Sequence, residues 1–185
     1  QLYHYQIDSK EWRKIPITFN IHFVEVLSQD QLIVSSDVSS DWQLWQIDIN
    51  SGESQQITTH GGYSVSRGLT SSQIFLTKFA EPGIYSFELS NGEEQRIVDE
   101  FDITYWHKWQ IRNQQLYYIK RDEMGGNSIY IQPLNIIASN SLDTGKSVSI
   151  VKNIPNNFSI SADGKWIAIS QVEGASAGIR VLKPE

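Results

Sequence analysis

Residues able to do chemistry fall into three groups in this sequence: a serine framed by glycines, four scattered histidines with nearby carboxylates, and one run of rings mixed with charge. Gly174-Ala175-Ser176-Ala177-Gly178 spells G-x-S-x-G. A nucleophile elbow with those letters needs a strand before it, a helix after it, and an acid and then a histidine further on. Only seven residues follow Gly178, none of them histidine, so the stretch reads as a small-residue loop. His4, His22, His60 and His107 stand neither two nor four residues from one another, and no acidic cluster joins them at metal-ligand spacing. No zinc and no cofactor is expected. A lone histidine in a β protein is ordinarily a hydrogen-bonded structural or surface residue. Asp41, Asp99, Glu100, Asp102, Asp122 and Glu123 read as solvated acids of turns, able to act as general acids only if the fold converges them. Asn157-Phe158-Ser159 satisfies the glycosylation letters but begins a strand. The expectation is a protein that is not an enzyme.

The third group carries more. Tyr105-Trp106-His107-Lys108-Trp109 gathers three large rings, an imidazole and an ammonium. As a strand it would send alternate residues to opposite sides, and most of its rings would wedge between neighbouring sheets. His107 or Trp106 would then stand near a loop rim with Asp41, Trp42, His60, Glu81, Arg121 and Asp122. Aromatic and charged loop residues on a rigid scaffold make a surface for a peptide, a sugar or a protein. These eight residues are the predicted binding positions.

The elements that would hold them repeat. "IDINSGESQQIT" (47–58) returns forty residues later as "FELSNGEEQRIV" (87–98). Aligned on the aromatic that opens each such strand, Tyr3, Trp45, Tyr85 and Tyr130 are separated by 42, 40 and 45 residues, and the pattern returns at Arg180. A period of about 40–45 residues is that of a four-stranded propeller blade. Inner strands are predicted at 22–28, 63–69, 105–111 and 158–161. Second strands, buried on both faces and so free to be continuous apolar runs, fall at 32–37, 74–79, 116–121 and 166–172. Third strands fall at 43–49, 83–89, 128–134 and 179–183, and fourth strands at 55–58, 95–98 and 147–151. Asn50-Ser51-Gly52-Glu53, Asn91-Gly92-Glu93 and Asp143-Thr144-Gly145-Lys146 supply hairpins wanting positive φ, and Asp163-Gly164 does so between the first two strands of the last copy.

The predicted fold class is therefore all-β, a propeller-like array of four-stranded antiparallel blades, three complete and two partial. One domain spans 1–185, with blades at 18–59, 60–100 and 101–153 and partial blades at 1–17 and 154–185. A β-sandwich with good hairpins is the alternative. Two facing sheets, or a helix around Trp106, would contradict the propeller. Further blades are expected upstream in a longer parent protein. A stable fragment would either pair with a second copy or lend "EWRKI" to the last blade as its outer strand.

Composition narrows the function. Fifteen Lys and Arg against 21 Asp and Glu leave a net charge of −6, against direct binding of nucleic acid, which needs a basic stripe. No apolar run reaches the roughly 20 residues of a membrane span, and the first residues show no signal-peptide pattern. Cysteine is absent, which removes disulfides and thiolate metal sites and leaves the compartment open.

"SISADGKWIAISQVEG" resembles the repeat phrase of TolB-type, WD40-like (PD40) propellers, with Ala162 where those repeats carry proline. "LWQIDINSGESQQIT" resembles their outer strand pair. Over about residues 30–185, and most specifically in "GIYSFELSNGEEQ" and "YWHKW", the chain resembles the C-terminal propeller of winged-helix regulators of the CadC or ToxR type. The first three copies depart from the repeat in lacking an Asp-Gly turn after the inner strand. The resemblance implies a sensory or interaction domain on the periplasmic side of a bacterial inner membrane, its DNA-binding domain and membrane segment lying elsewhere in the parent chain. The implied partner is a protein or small ligand at the loop face. Two alternatives stay open: a TolB-like envelope interaction module, and a propeller gate of a prolyl-oligopeptidase-like enzyme.

Overall fold

A computed structural model describes residues 1–122, 125–136, 142–152, 154, 157–173 and 176–183. They form two compact units, Gln1–Val98 and Asp99–Glu185. Apart from one 3-10 turn, every regular element is a β-strand.

Unit 1 opens with a hairpin of β1 (Leu2–Gln6) and β2 (Glu11–Ile15). Two four-stranded antiparallel meanders follow. The first is β3 (Val24–Val26), β4 (Gln31–Ser36), β5 (Gln43–Asp48) and β6 (Ser54–Gln56). The second is β7 (Val65–Arg67), β8 (Gln73–Lys78), β9 (Glu81–Glu88) and β10 (Glu94–Val98). β4 is buried on both faces, as expected of a second strand. Leu32 and Val34 join Ile15, Ile47 and Ile49, while Ile33 joins Leu44, Ile74, Leu76, Tyr85 and Phe87. Full burial of each such side chain is worth about 1.5–3 kcal/mol, so the alternation within one strand ties the hairpin and both meanders into one body.

The repeated phrase folds twice into one hairpin. Asp48 N–H donates to the Glu53 carbonyl and Gly52 N–H to that of Asp48; forty residues on, Glu88 donates to Glu93 and Gly92 to Glu88. Gly52 and Gly92 hold φ of 77° and 74°, the left-handed region that glycine enters without steric cost. The inner strands repeat as well. His22 N–H donates to the Ser35 carbonyl and Ser35 N–H to that of Phe23, just as Tyr63 pairs with Thr77 and Thr77 with Ser64.

Unit 2 begins with a 3-10 turn, Ile103–Tyr105. Next come β11 (Trp109–Arg112), β12 (Gln115–Arg121), β13 (Asn127–Ile136), β14 (Leu142–Thr144) and β15 (Val148–Val151). A final meander holds β16 (Phe158–Ile160), β17 (Ile167–Glu173) and β18 (Ser176–Leu182). Inner strands of adjacent sheets are bridged by side chains. The Gln110 amide donates to the Phe158 carbonyl while its oxygen accepts from Ile160 N–H. In unit 1 the Glu25 carboxylate accepts from Arg67 N–H in the same manner.

Several expectations need correction. Residues 105–111 are not one strand. The Asp102 carboxylate accepts from Thr104 N–H and hydroxyl, capping the 3-10 turn, and Lys108 N–H donates to the Tyr105 carbonyl, so the chain turns until Trp109. An inner strand still forms from there, paired with β12, and the sheet survives the helical turn. Asp143-Thr144-Gly145 is not a tight hairpin. β13 runs ten residues, pairing with β15 through Ile129–Ile131 and with β14 through Leu134–Ile136, and Gly145 has no positive φ. Of the G-x-S-x-G letters, Gly174 and Ala175 lie outside the described residues, and Ser176 to Gly178 are the start of β18 rather than a loop. Glu123 also lies outside them. Among the described residues β2 pairs with β1 and β18 with β17.

Candidate functional site

In unit 1 the connection between β4 and β5 and the one between β6 and β7 meet at one strand end. Their close approach is set by backbone. Gly61 (φ 97°) donates its N–H to the buried Gln43 side-chain oxygen, which also accepts from the Thr58 hydroxyl. A Cβ on Gly62 would stand 2.5 Å from Leu44 Cγ, so only glycine lets this connection lie against β5. Gly62 N–H donates to the Trp42 carbonyl, and the rings follow.

Trp42 lies 5.0 Å from Tyr63, 5.1 Å from His22 and 6.0 Å from Phe79, centroid to centroid. Tyr63 in turn contacts His22, Phe23 and Phe79 at 4.9, 5.2 and 5.3 Å. The Tyr63 ring is buried, and its hydroxyl is hydrogen-bonded to His22 Nε2 at 2.5 Å. Burial pushes that phenol above its ordinary pKa. Phe79, 46% exposed at the β8–β9 turn, and the exposed His22 carry the cluster to the surface. The result is a ring-lined surface on fixed loops, suited to burying apolar or aromatic side chains of another molecule.

Of the four residues expected at this rim, only Trp42 belongs to the cluster. Asp41 is exposed beside it in sequence. His60 is hydrogen-bonded to the neighbouring Thr59 hydroxyl. Glu81 is the first residue of β9, not a loop residue, and sits in an ion cluster. Its carboxylate accepts from the Tyr85 hydroxyl at 2.5 Å and from Arg96 at 3.2 Å, with Lys78 Nζ 4.0 Å away. Lys78 is buried, pairs with Glu94 at 2.7 Å and stands 4.4 Å over the Tyr85 ring. The Tyr85 hydroxyl, then Lys78 and Arg96, hold the Glu81 carboxyl below the usual carboxylate range. Burial, and after it the bond to Glu81, push Tyr85 up to about 12.

The other four expected residues lie in unit 2. Trp106 is the residue on which the 3-10 turn ends, and its carbonyl accepts from the Trp109 indole at 2.9 Å. His107 is exposed. Arg121 ends β12 and donates to the Tyr105 hydroxyl at 3.4 Å, and Tyr105 donates to Asn127 Oδ1. Asp122 is a turn-forming group, accepting from Gly126 N–H and the Ser128 hydroxyl. Lys108 reaches Asn157, and desolvation pulls its pKa down.

His22, Tyr63 and Phe79 escaped the sequence reading because each was assigned to a strand. For His22 and Tyr63 the signal is the repeat itself: the two occupy equivalent positions in consecutive copies.

No family profile and no curated protein matches the chain. Solved structures do. TolB from Acinetobacter baumannii matches with a TM-score of 0.70 at 13% identity, over 98% of this chain and 45% of that one. A TolB candidate from Agrobacterium tumefaciens matches with 0.69 at 12% identity, over 97% and 64%. The β-propeller domain of the Trilobed protease from Pyrococcus furiosus matches with 0.57 at 11% identity, over 98% and 58%. The fold is that of a β-propeller. The chain spans about half to two thirds of these proteins, and at such identities the likeness is one of fold alone. Among the described residues no helix is long and apolar enough to cross a membrane.

Proposed function

We propose that this chain is a non-catalytic interaction domain whose partner or ligand docks on the ring cluster of His22, Trp42, Tyr63 and Phe79. The observation that carries this reading is the pairing of a buried, hydrogen-bonded base with an exposed edge: Tyr63 is 4% exposed and Phe79 46%. Such a surface is preorganised, so little ordering entropy is lost on binding. Within a parent protein the domain serves as the periplasmic sensor of a membrane-anchored transcriptional regulator, as the resemblance over residues 30–185 implies. A ligand acts there by binding one assembly state better than another, since equal affinity shifts nothing.

The test uses the parent protein with a transcriptional reporter. Trp42→Ala and Phe79→Ala abolish the response while immunoblotted abundance stays at the wild-type level. A full response in both variants overturns the reading. A second reading, an envelope interaction module without signalling, is favoured by the likeness to TolB across nearly the whole chain. Under it the same variants lose a binding partner and change no transcript.

A further inference from the structure

At the opposite strand end of unit 1, the β1–β2, β3–β4 and β5–β6 turns border a half-open cavity of about 830 Å³. One wall is the first hairpin, where the cross-strand partners Tyr5 and Trp12 lie 4.7 Å apart at 39°. Both rings are open to solvent, Trp12 at 71% exposure and Tyr5 at 40%. Asp8, Glu11 and Asp30 also line the cavity. Its one guanidinium is anchored on a neutral side chain: Arg13 donates to the Asn50 side-chain oxygen at 2.9 Å and to the Asn50 carbonyl, while the Asn50 amide donates to Asp30 at 2.9 Å. Among the described residues Asp8, Glu11 and Asp30 form no ion pair, in contrast to the charges clustered on Lys78.

We infer that this cavity is a second binding site, for an arginine or lysine side chain of a protein partner. Three carboxylates against the single Arg13 guanidinium leave the cavity a net negative field that draws a cation in. Two exposed ring faces beside them add a cation–π attraction, and a long aliphatic stem lies well along an indole. An anion meets three carboxylates against one guanidinium, which is held on Asn50. The Arg13–Asn50–Asp30 chain fixes the hairpin to the β5–β6 turn, so the walls keep their spacing without the ligand. This site is independent of the ring cluster at the other strand end.

The probe is the peptide acetyl-Gly-Arg-Gly-Arg-Gly-amide, titrated into the 185-residue chain while indole N–H resonances are recorded. Trp12 is assigned from its loss in Trp12→Phe. Saturable shifts are expected at Trp12 and not at Trp42, weakening as salt is raised. Trp12→Ala and the double variant Asp8→Asn/Glu11→Gln each lower affinity about tenfold or more. Both keep the wild-type circular dichroism, since all three side chains are exposed. Phe79→Ala binds the peptide like the wild type, which separates this result from that of the ring cluster. No saturable shift at Trp12, variants that bind like the wild type, or cellotetraose shifting the same resonances with equal affinity would each overturn the inference, the last pointing to a glycan site instead.

Discussion

A buried lysine between two glutamates and a tyrosine shows how this protein handles charge inside a four-stranded blade. Lys78 is buried, yet Glu94 and Glu81 share its charge and the Tyr85 ring lies beneath it. Desolvation is thereby offset locally, as a buried charge requires. Tyr85 gives the cluster a signature in pH. Its folded-state pKa of about 12 lies above the ordinary 10.0, so the folded state holds the phenolic proton more tightly. The associated stability is fully present below pH 10 and is lost as pH rises through about 12. Urea unfolding of wild type and Tyr85→Phe from pH 9 to 12 should show the steeper alkaline decline only in the wild type. Parallel declines would mean that burial and the bond to Glu81 do not hold the phenolic proton as described. At the same scale, Trp42 was legible as a loop residue from its place between the second and third strands, and the structure places its ring among those of His22, Tyr63 and Phe79. The contact of Tyr63 with His22 was not legible, because it joins positions 41 residues apart.

The element most readable in the sequence is the hairpin written twice. Asn, Gly and polar neighbours announced positive φ at Gly52 and Gly92, and both have it. Their surroundings differ: a Cβ on Gly52 would lie 2.5 Å from Pro16 Cγ, whereas nothing lies within 4 Å of one on Gly92. Both alanine substitutions carry the conformational penalty of about 1 kcal/mol, and Gly52→Ala adds a clash with a ring that cannot swing away. Thermal unfolding should therefore rank Gly52→Ala below Gly92→Ala, with Gly92→Ala near 1 kcal/mol below wild type; equal losses would contradict the packing of Pro16 on that turn. Other turns were unreadable for physical reasons. Asn113 and Gln114 hold φ of 50° and 59° without a glycine, a left-handed pair maintained in part by Asn113 donating to the Asp163 carbonyl. The run from Tyr105 to Trp109 looked like a strand because rings favour strands. A short capping signal, Asp102 two residues before Thr104, outweighed that preference.

At the scale of the molecule, neighbouring four-stranded meanders account for the apolar runs of unit 1: β4 and β8 are buried on both faces, which no single sheet facing water allows. The price is an edge. β18 pairs only with β17 among the described residues, and it presents Ile179 and Val181 at 81% and 58% exposure. Open edges of this kind invite pairing between copies. Light scattering over a concentration series should show mass rising with concentration for the wild type and staying monomeric for Ile179→Lys; a constant monomer mass for the wild type would remove that edge as a contact. The functional claim is tested most directly by photo-crosslinking in cells carrying the parent protein, with p-benzoylphenylalanine at position 79 or, as a control of similar exposure (46% against 42%), at position 136. A discrete adduct at 79 that is absent at 136 is the predicted result; no adduct at 79, or the same adducts at both positions, would contradict an interaction surface built on the Trp42–Tyr63–Phe79 rings.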